Sequence, residues 1–336
     1  MSGGLDSSVA VKLLSDKGYS VGGAIMKLFD NENDIRDAEN VARLLGVSFD
    51  VIDCRDAFKE NVIDSFVNSY LSGETPNPCV TCNEYVKFGQ FHKSAMSLGY
   101  DKVATGHYVI SEADANGRIL LRKGKDESKD QSYVLYGLTQ SQLSKSIFPL
   151  GEMSKADIRK LAREYNLPCA DRPESQDICF IKNGNYAEYI ENAIGRKLPQ
   201  GDMKLTNGKV LAQHKGIIHY TVGQRKGLGV SYTQPLFVVD KNPDDNSVVL
   251  GTADELWGSS LVARNVNFIP FDKLEGSLHV TARTRYHQKE TKAVISMLDN
   301  DRVLVEFESP QRAISAGQSV VFYDGDYVVG GGIICR

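Results

Sequence analysis

Met1-Ser2-Gly3-Gly4-Leu5-Asp6-Ser7-Ser8, followed by Val9, Ala10, Val11, Leu13 and Leu14, is the stretch that decides the fold. The apolar spacing predicts a helix, and two glycines before it let a backbone pass close to a ligand. A helix opened by small polar residues presents unpaired N–H groups to a phosphate, and its dipole adds to the attraction. The same letters also fit an ordinary helix start capped by Asp6 or Ser7. No lysine completes a Walker A loop. A loop of this kind follows a buried parallel strand, and only Met1 stands before it. The pattern therefore expects a further strand upstream, without which the neighbouring strand keeps an open edge.

Outward from this loop, apolar strands alternate with helical patterns up to about residue 110. Residues 19–26 and 47–52 read as strands, 35–45 and 58–70 as helices. After a loop, 86–98 reads as a helix and 102–105 as a short buried strand. This is the rhythm of a doubly wound parallel sheet, whose ligands gather at the carboxyl ends of strands. Met26 and Gly106 fall at such ends. A charged loop at 123–129 precedes an expected helix at 131–138. A second helix spans 154–165, loop plus strand 174–181, and another helix 186–193. Past about residue 196 the style changes to short strands with Gly-rich turns, at 236–240, 247–251, 278–280, 303–307, 319–323 and 327–329. That pattern predicts an all-β tail ending in a small barrel.

The chain has 336 residues, enough for two or three domains, and its 41% hydrophobic and 24% charged content is that of a globular protein. No run of about 18 apolar residues suggests a membrane span, and no signal peptide is visible. Six cysteines are too few for a disulfide scaffold of this length, which points to a reducing cytoplasm. A net charge of −4 leaves any nucleic-acid binding to local basic patches. Two such stretches stand out, 214–230 with Lys215, Arg225 and Lys226, and 283–292. Either also fits a solvated face.

Asn77-Pro-Cys79-Val-Thr-Cys82-Asn and Asp177-Ile-Cys179-Phe are the next informative clusters. Cys79 and Cys82 have the spacing of half a zinc site, but no second closely spaced ligand pair accompanies them. Cys54 and Cys335 read as inert, whereas a loop setting for Cys82 and Cys179 points to accessible, redox-active thiols.

S-G-G-L-D-S-S resembles the pyrophosphate loop of the PP-loop ATP pyrophosphatases. With N-P-C-V-T-C-N-x-x-V-K-F-G, G-H-Y, K-D-Q-S-Y, S-Q-D-I-C-F, T-V-G-Q-R-K-G-L-G and R-T-R-Y, in order, the whole chain resembles the bacterial-type tRNA 2-thiouridine synthases. The resemblance implies a PP-loop α/β domain over 1–195, with part of 146–175 open to assignment elsewhere. It also implies a central tRNA-binding domain over 196–256 and a β-barrel over 257–336. ATP with Mg²⁺ would be used on tRNA, and a sulfur-relay protein would donate the sulfur.

By the same resemblance Cys82 is the nucleophile and Cys179 carries the persulfide, the two ending as a disulfide. Ser2, Gly3, Gly4, Leu5, Asp6, Ser7, Ser8, Met26 and Gly106 match the ATP site, with Asp6 the nearest candidate for Mg²⁺. Asn77, Pro78 and Cys79 match the segment that meets the target base. Many relatives carry Asp at the position of Cys79; a thiol can still donate or accept a proton, but it is a different acid from a carboxylate and mostly protonated at neutral pH, so the role of Cys79 stays open. His107, Lys129, Asp130, Gln131, Arg285, Tyr286 and Gln318 match tRNA contacts, although a strand-end histidine and a charged loop also read as purely structural. The chemistry coheres: adenylating the uridine C2 oxygen makes AMP the leaving group, and sulfur then attacks C2. Two alternatives remain at this stage. One is a PP-loop enzyme that transfers nitrogen, and the other a tRNA-binding protein without catalysis.

Overall fold

The computed structural model describes residues 1, 3–170, 178–181 and 184–336. Ser2 and the first part of the expected 174–181 segment lie outside the described residues. The architecture is α/β: a nucleotide-type domain of parallel strand pairs, a small four-stranded domain and a closed six-stranded barrel.

Helix α1 (Leu5–Asp16) follows the glycine loop and buries Leu5, Val9, Ala10 and Leu14. Leu5, Val9 and Ala10 pack with Tyr108, Leu150 and with Ile158 and Ala162 of a later helix. Each fully buried aliphatic side chain there contributes about 1.5–3 kcal/mol. Strand β1 (Gly22–Lys27) pairs in parallel with β2 (Ser48–Asp53), crossing over through α2 (Glu32–Leu45), which ends on left-handed Gly46. Among the described residues no strand pairs with the other edge of β1; the Met1 amine donates to Ala24 O there. A second parallel pair joins β3 (Val103–Ala104) to a later short strand.

Two long helices carry π-helical stretches. The first, α3, runs through Arg55–Phe58, the π-helical Lys59–Asp64 and Ser65–Leu71. The second, α4, runs through Pro78–Thr81, the π-helical Cys82–Phe91 and His92–Ser97. Its start corrects the sequence expectation: Cys79 and Cys82 lie on the first turns of a helix rather than in a loop. Pro78 occupies the first helical position and the Asn77 side chain accepts from Cys79 N at 3.2 Å, an N-terminus signature readable in the letters.

Strands β4 (Val109–Ala113) and β5 (Ile119–Lys123) form a hairpin that the sequence pattern did not suggest. The expected helix at 131–138 is only a 3₁₀ turn, Ser132–Leu135. Asp130 is the reason: its buried carboxylate accepts from Gly124 N, Ser132 N and the Ser132 hydroxyl, holding the chain in a turn. A short helix α5 (Gln140–Ser144), strand β6 (Ser146–Ile147, the partner of β3), α6 (Lys155–Glu164) and α7 (Tyr186–Ile194) follow.

The middle sheet contains β7 (Gly201–Leu205), β8 (Val210–His214), β9 (Phe237–Asn242) and β10 (Ser247–Gly251) in the order β8-β7-β10-β9. Its core is shared with Phe66, Val67 and Tyr70 of α3 and Ile190 of α7. The barrel comprises β11 (Trp257–Phe268), β12 (Ser277–Arg283), β13 (Thr291–Met297), β14 (Val303–Arg312), β15 (Ser319–Asp324) and β16 (Tyr327–Ile334). Pairing of β11 with both β14 and β16 closes it, which removes its free edges. The β4–β5 hairpin joins the outside of this sheet where Tyr327 pairs with Arg122. Segments remote in sequence are thereby bound into one assembly.

Candidate active site

The glycine loop sits where two chain segments leave no room for side chains. Gly3 has φ +68, and a Cβ there would lie 3.1 Å from Ala38 N. Gly106, at the exit of β3, crosses the loop so closely that a Cβ would stand 2.8 Å from the Asp6 Cβ and 3.0 Å from Ser7 N. Gly4 is the helix N-cap and has no side chain of its own to cap the first turn of α1, the end of a helix that attracts anions. The hydroxyls of Ser7 and Ser8 turn back to Gly4 O, at 3.2 and 2.8 Å. Met26 stands one residue before the end of β1; its carbonyl accepts from the Asn31 amide at 3.4 Å, and Asn31 Oδ1 is buried without a partner. A helix start opened by glycine, a close-packed glycine cradle and an orphaned acceptor together fit a nucleotide phosphate and a base amine.

Gly106→Ala tests the cradle directly. The methyl group must displace the loop backbone, and a shift near 1 Å at a reacting phosphate costs about 10²-fold. AMP release from ATP in the presence of tRNA should fall by that factor while the far-UV circular dichroism stays unchanged. Wild-type AMP release would show that the loop holds no reacting phosphate.

Asp6 is placed differently from the expectation that it holds Mg²⁺. Both its carboxylate oxygens accept from the Lys155 ammonium, at 2.8 and 2.9 Å, and Oδ1 also accepts from the Tyr108 hydroxyl at 2.7 Å. With α6 thus pinned to the loop, Asp6 presents no open oxygen pair to a divalent cation. Among the described residues no cluster of three or more His, Cys, Asp or Glu is arranged for a metal. Lys155 carried one signal in the sequence: a cation in the first turn of a helix opposes the dipole unless a partner draws it elsewhere.

All six cysteines are free. Cys79 and Cys82 are three residues apart at the start of α4 and share a face. Cys82 is half-buried against Cys54, Phe58, Val62 and Val86. Cys179 reaches solvent, but its neighbour Phe180 stands edge-on to Phe58 at 5.7 Å and to Phe66 at 5.4 Å, which anchors the segment over α3. Burial raises the thiols of Cys79 and Cys179 above their ordinary values and pushes Cys82 up to about 11. Cys179, Cys79 and Cys54 each oppose ionisation of Cys82, and Lys87 favours it. Lys87, on the same helix as Cys79 and Cys82, favours ionisation of all three thiols, and sequence reasoning passed it over.

The expected tRNA-contacting residues fall into an interior group and a surface group. His107 is buried between Phe88 and Phe148, with both ring nitrogens engaged. Gln131 Oε1 accepts from Tyr108 N, Asp130 is buried, and Lys129 is half-buried at the end of the charged loop. Arg285 donates to Val222 O, Ala313 O and the Ser315 hydroxyl, bracing the barrel against the middle sheet. Tyr286 donates to Asp130 O at 2.9 Å, and Gln318 donates to Thr75 O at 2.7 Å. The last contact is adjacent to Asn77, Pro78 and Cys79, so the barrel holds the segment that leads into the thiol helix. Glu74 strengthens it by pairing with Arg264 at 2.9 Å. On the surface, Arg225 and Lys226 open an exposed loop that continues to Pro235, with Tyr232 42% exposed.

A nucleotide cradle joined to a thiol cluster, with two β domains clamped on the same segment, defines a PP-loop type of nucleotide-using enzyme fold. Comparison with known proteins gives the same class. Residues 1–183 match a family model described as tRNA methyl transferase HUP domain, residues 187–252 its PRC-barrel domain, and residues 259–334 an aminomethyltransferase beta-barrel domain. The chain is 49% identical to tRNA-specific 2-thiouridylase MnmA 2 of Caldanaerobacter subterraneus subsp. tengcongensis, over 100% of this chain and 96% of that protein. It is 47% identical to MnmA 2 of Clostridium tetani (99% and 97% covered) and 45% to MnmA of Clostridioides difficile (99% and 96%). The chain belongs to the tRNA-specific 2-thiouridylase family.

Among the described residues no helix is long and apolar enough to cross a membrane.

Proposed function

We propose that this protein converts the wobble uridine of tRNA to 2-thiouridine, consuming ATP and releasing AMP and pyrophosphate. The carrying observation is the meeting of the glycine cradle with the thiol helix: Lys87, on the helix that begins with Cys79 and Cys82, reaches His107 Nε2 at 3.4 Å, and His107 directly follows Gly106 of the cradle. Gly3, Gly4 and Leu5 hold the phosphates, Met26 and Gly106 frame the nucleotide, and Mg²⁺ arrives on the nucleotide rather than on Asp6. Ser2 belongs to the same loop by sequence.

The uridine C2 oxygen attacks the α-phosphate, so that oxygen becomes part of an AMP leaving group. Sulfur bound as persulfide on Cys179 then replaces it at C2. Either the terminal sulfur attacks directly, or Cys82 first displaces it as hydrogen sulfide; both routes join Cys82 to Cys179 in a disulfide, which a thiol reductant resets. Asn77, Pro78 and Cys79 flank the flipped base, since an anticodon base must leave its stack to reach a half-buried thiol. Lys129, Arg225, Lys226 and Tyr232 offer charge and a stacking face to the RNA. His107, Asp130, Gln131, Arg285, Tyr286 and Gln318 shape that surface from beneath. A persulfide-carrying relay protein supplies the sulfur, and reducing cytoplasm suits six free thiols.

The test is nucleoside mass spectrometry of unmodified tRNA after incubation with the protein, ATP–Mg²⁺ and a persulfide donor. One 2-thiouridine per AMP supports the reading. AMP without any thiolated nucleoside, or neither product, would overturn it.

A further inference from the structure

The π-helical stretch Cys82–Phe91 places side chains differently from an α-helix. In an α-helix the fifth residue along is turned roughly 140° away, whereas a π-helix bonds i to i+5 and puts it one turn up on the same side. Cys82 and Lys87 stand in that relation. So do Glu84 and Gly89, where a Cβ on the glycine would lie 3.2 Å from Glu84 O. The ladder is opened from outside: Gln142, fixed by its capping box with Thr139, donates its amide to Glu84 O at 3.0 Å and to Phe88 O at 3.1 Å.

The Lys87 ammonium lies 3.4 Å from His107 Nε2. Burial and this cation hold His107 well below its ordinary value, hence neutral. Nε2 then accepts from Lys87, and Nδ1–H donates to the Thr105 hydroxyl at 2.7 Å. Thr105 and His107 therefore aim the lysine. Of the titratable groups around it, His107 is in contact at 3.4 Å, and its charge also acts on the thiols of Cys79 and Cys82 on its own helix and of Cys179 on the segment over α3. Among the described residues no carboxylate is paired with it in a salt bridge.

We propose that Lys87, aligned with Cys82 by the π-helical turn and braced on His107, is the counter-ion of the thiol cluster, a positioning residue that stabilises anionic sulfur on Cys82 and Cys179. The inference rests on the sulfur-transfer reading for its purpose, but its test needs neither ATP nor tRNA. Thiolate, not thiol, attacks, and loss of one adjacent cation removes about tenfold of the thiolate at a given pH.

The experiment follows iodoacetamide alkylation of Cys82 and Cys179 by peptide mass spectrometry from pH 7 to 10 in wild type, Lys87→Met and Lys87→Arg. At pH 8, Lys87→Met should alkylate both residues about tenfold more slowly, with the profile displaced to higher pH. Lys87→Arg should restore most of the rate, and Cys335, which follows the last barrel strand and which Lys87 is not seen to affect, should be unchanged. Lys87→Gln, which keeps a donor for His107, replaces the methionine variant if that one fails to fold. Superimposable profiles, or equal loss in the Arg and Met variants, would overturn the proposal. Missing 2-thiouridine in wild type would instead count against the sulfur-transfer reading and leave the alkylation result standing.

Discussion

Cys179→Ser should release AMP from ATP in the presence of tRNA yet yield at least ~10³-fold less 2-thiouridine than wild type when a persulfide protein is the donor. The separation follows from the layout. Adenylation depends on the loop at Gly3 to Leu5 and on Gly106, whereas Cys179 sits on a segment anchored by Phe180 against Phe58 and Phe66. A serine fits that place without disturbing the anchor, but it cannot hold a persulfide. Supplying excess inorganic sulfide should restore part of the product in Cys179→Ser, because a free sulfur nucleophile replaces the one the protein no longer carries. Cys82→Ser should behave the same way with the protein donor. A tenth or more of wild-type product from Cys179→Ser with the protein donor would remove this residue from the chemistry.

The fold was legible where local signals and tertiary packing agree. The apolar stripe of Val9, Ala10 and Leu14 and the strand at Ile25 needed no long-range information. The β4–β5 hairpin escaped because its pairing with β16 is set by Tyr327 and Arg122, some two hundred residues apart. Its turn nevertheless contained a signal in Asn116-Gly117. The expected helix at 131–138 failed because the Asp130 carboxylate competes for the backbone N–H groups that would start it.

The site was half legible for the same reason. Glycines and cysteines announce themselves, since few other residues fit a positive φ or a crowded crossing, or supply a thiol. Cations do not. Lys87 reads as one more helical lysine until the π-helical turn sets it one turn along from Cys82 and within reach of His107, and Lys155 until Asp6 is seen to hold it. Arg285 and Gln318 read as RNA contacts from the family likeness. Arg285 Nη2 and the Gln318 amide also bond Val222, Ala313 and Thr75 across domains, a bracing that no local pattern encodes.

The same bracing contains an ionisable group that opposes stability. Lys241 in β9 is 2% exposed, donates to Glu74 O at 3.4 Å, and lies 5.6 Å from the centre of the Tyr70 ring. Burial lowers its pKa from 10.5 to about 8; Asp240 and Glu74 favour the charge and Arg336 opposes it. A base whose folded pKa is depressed binds its proton less readily than the unfolded chain does. Its penalty is absent above pH 10.5, grows as pH falls towards 8, and is full below that, about 3 kcal/mol. Lys241→Met keeps the length and removes the charge. It should be more stable than wild type at pH 7 by a sizeable part of that amount, and the gap should close as pH rises to 10.5. Urea midpoints of the two proteins across this range measure it, and parallel curves would mean that Lys241 titrates normally. The three domains meet here, through Tyr70 and Glu74, β9, and Arg264 of the barrel. Glu74 leads directly to Thr75 and the thiol helix. A stabilised junction should therefore hold the segment before Cys79 more firmly.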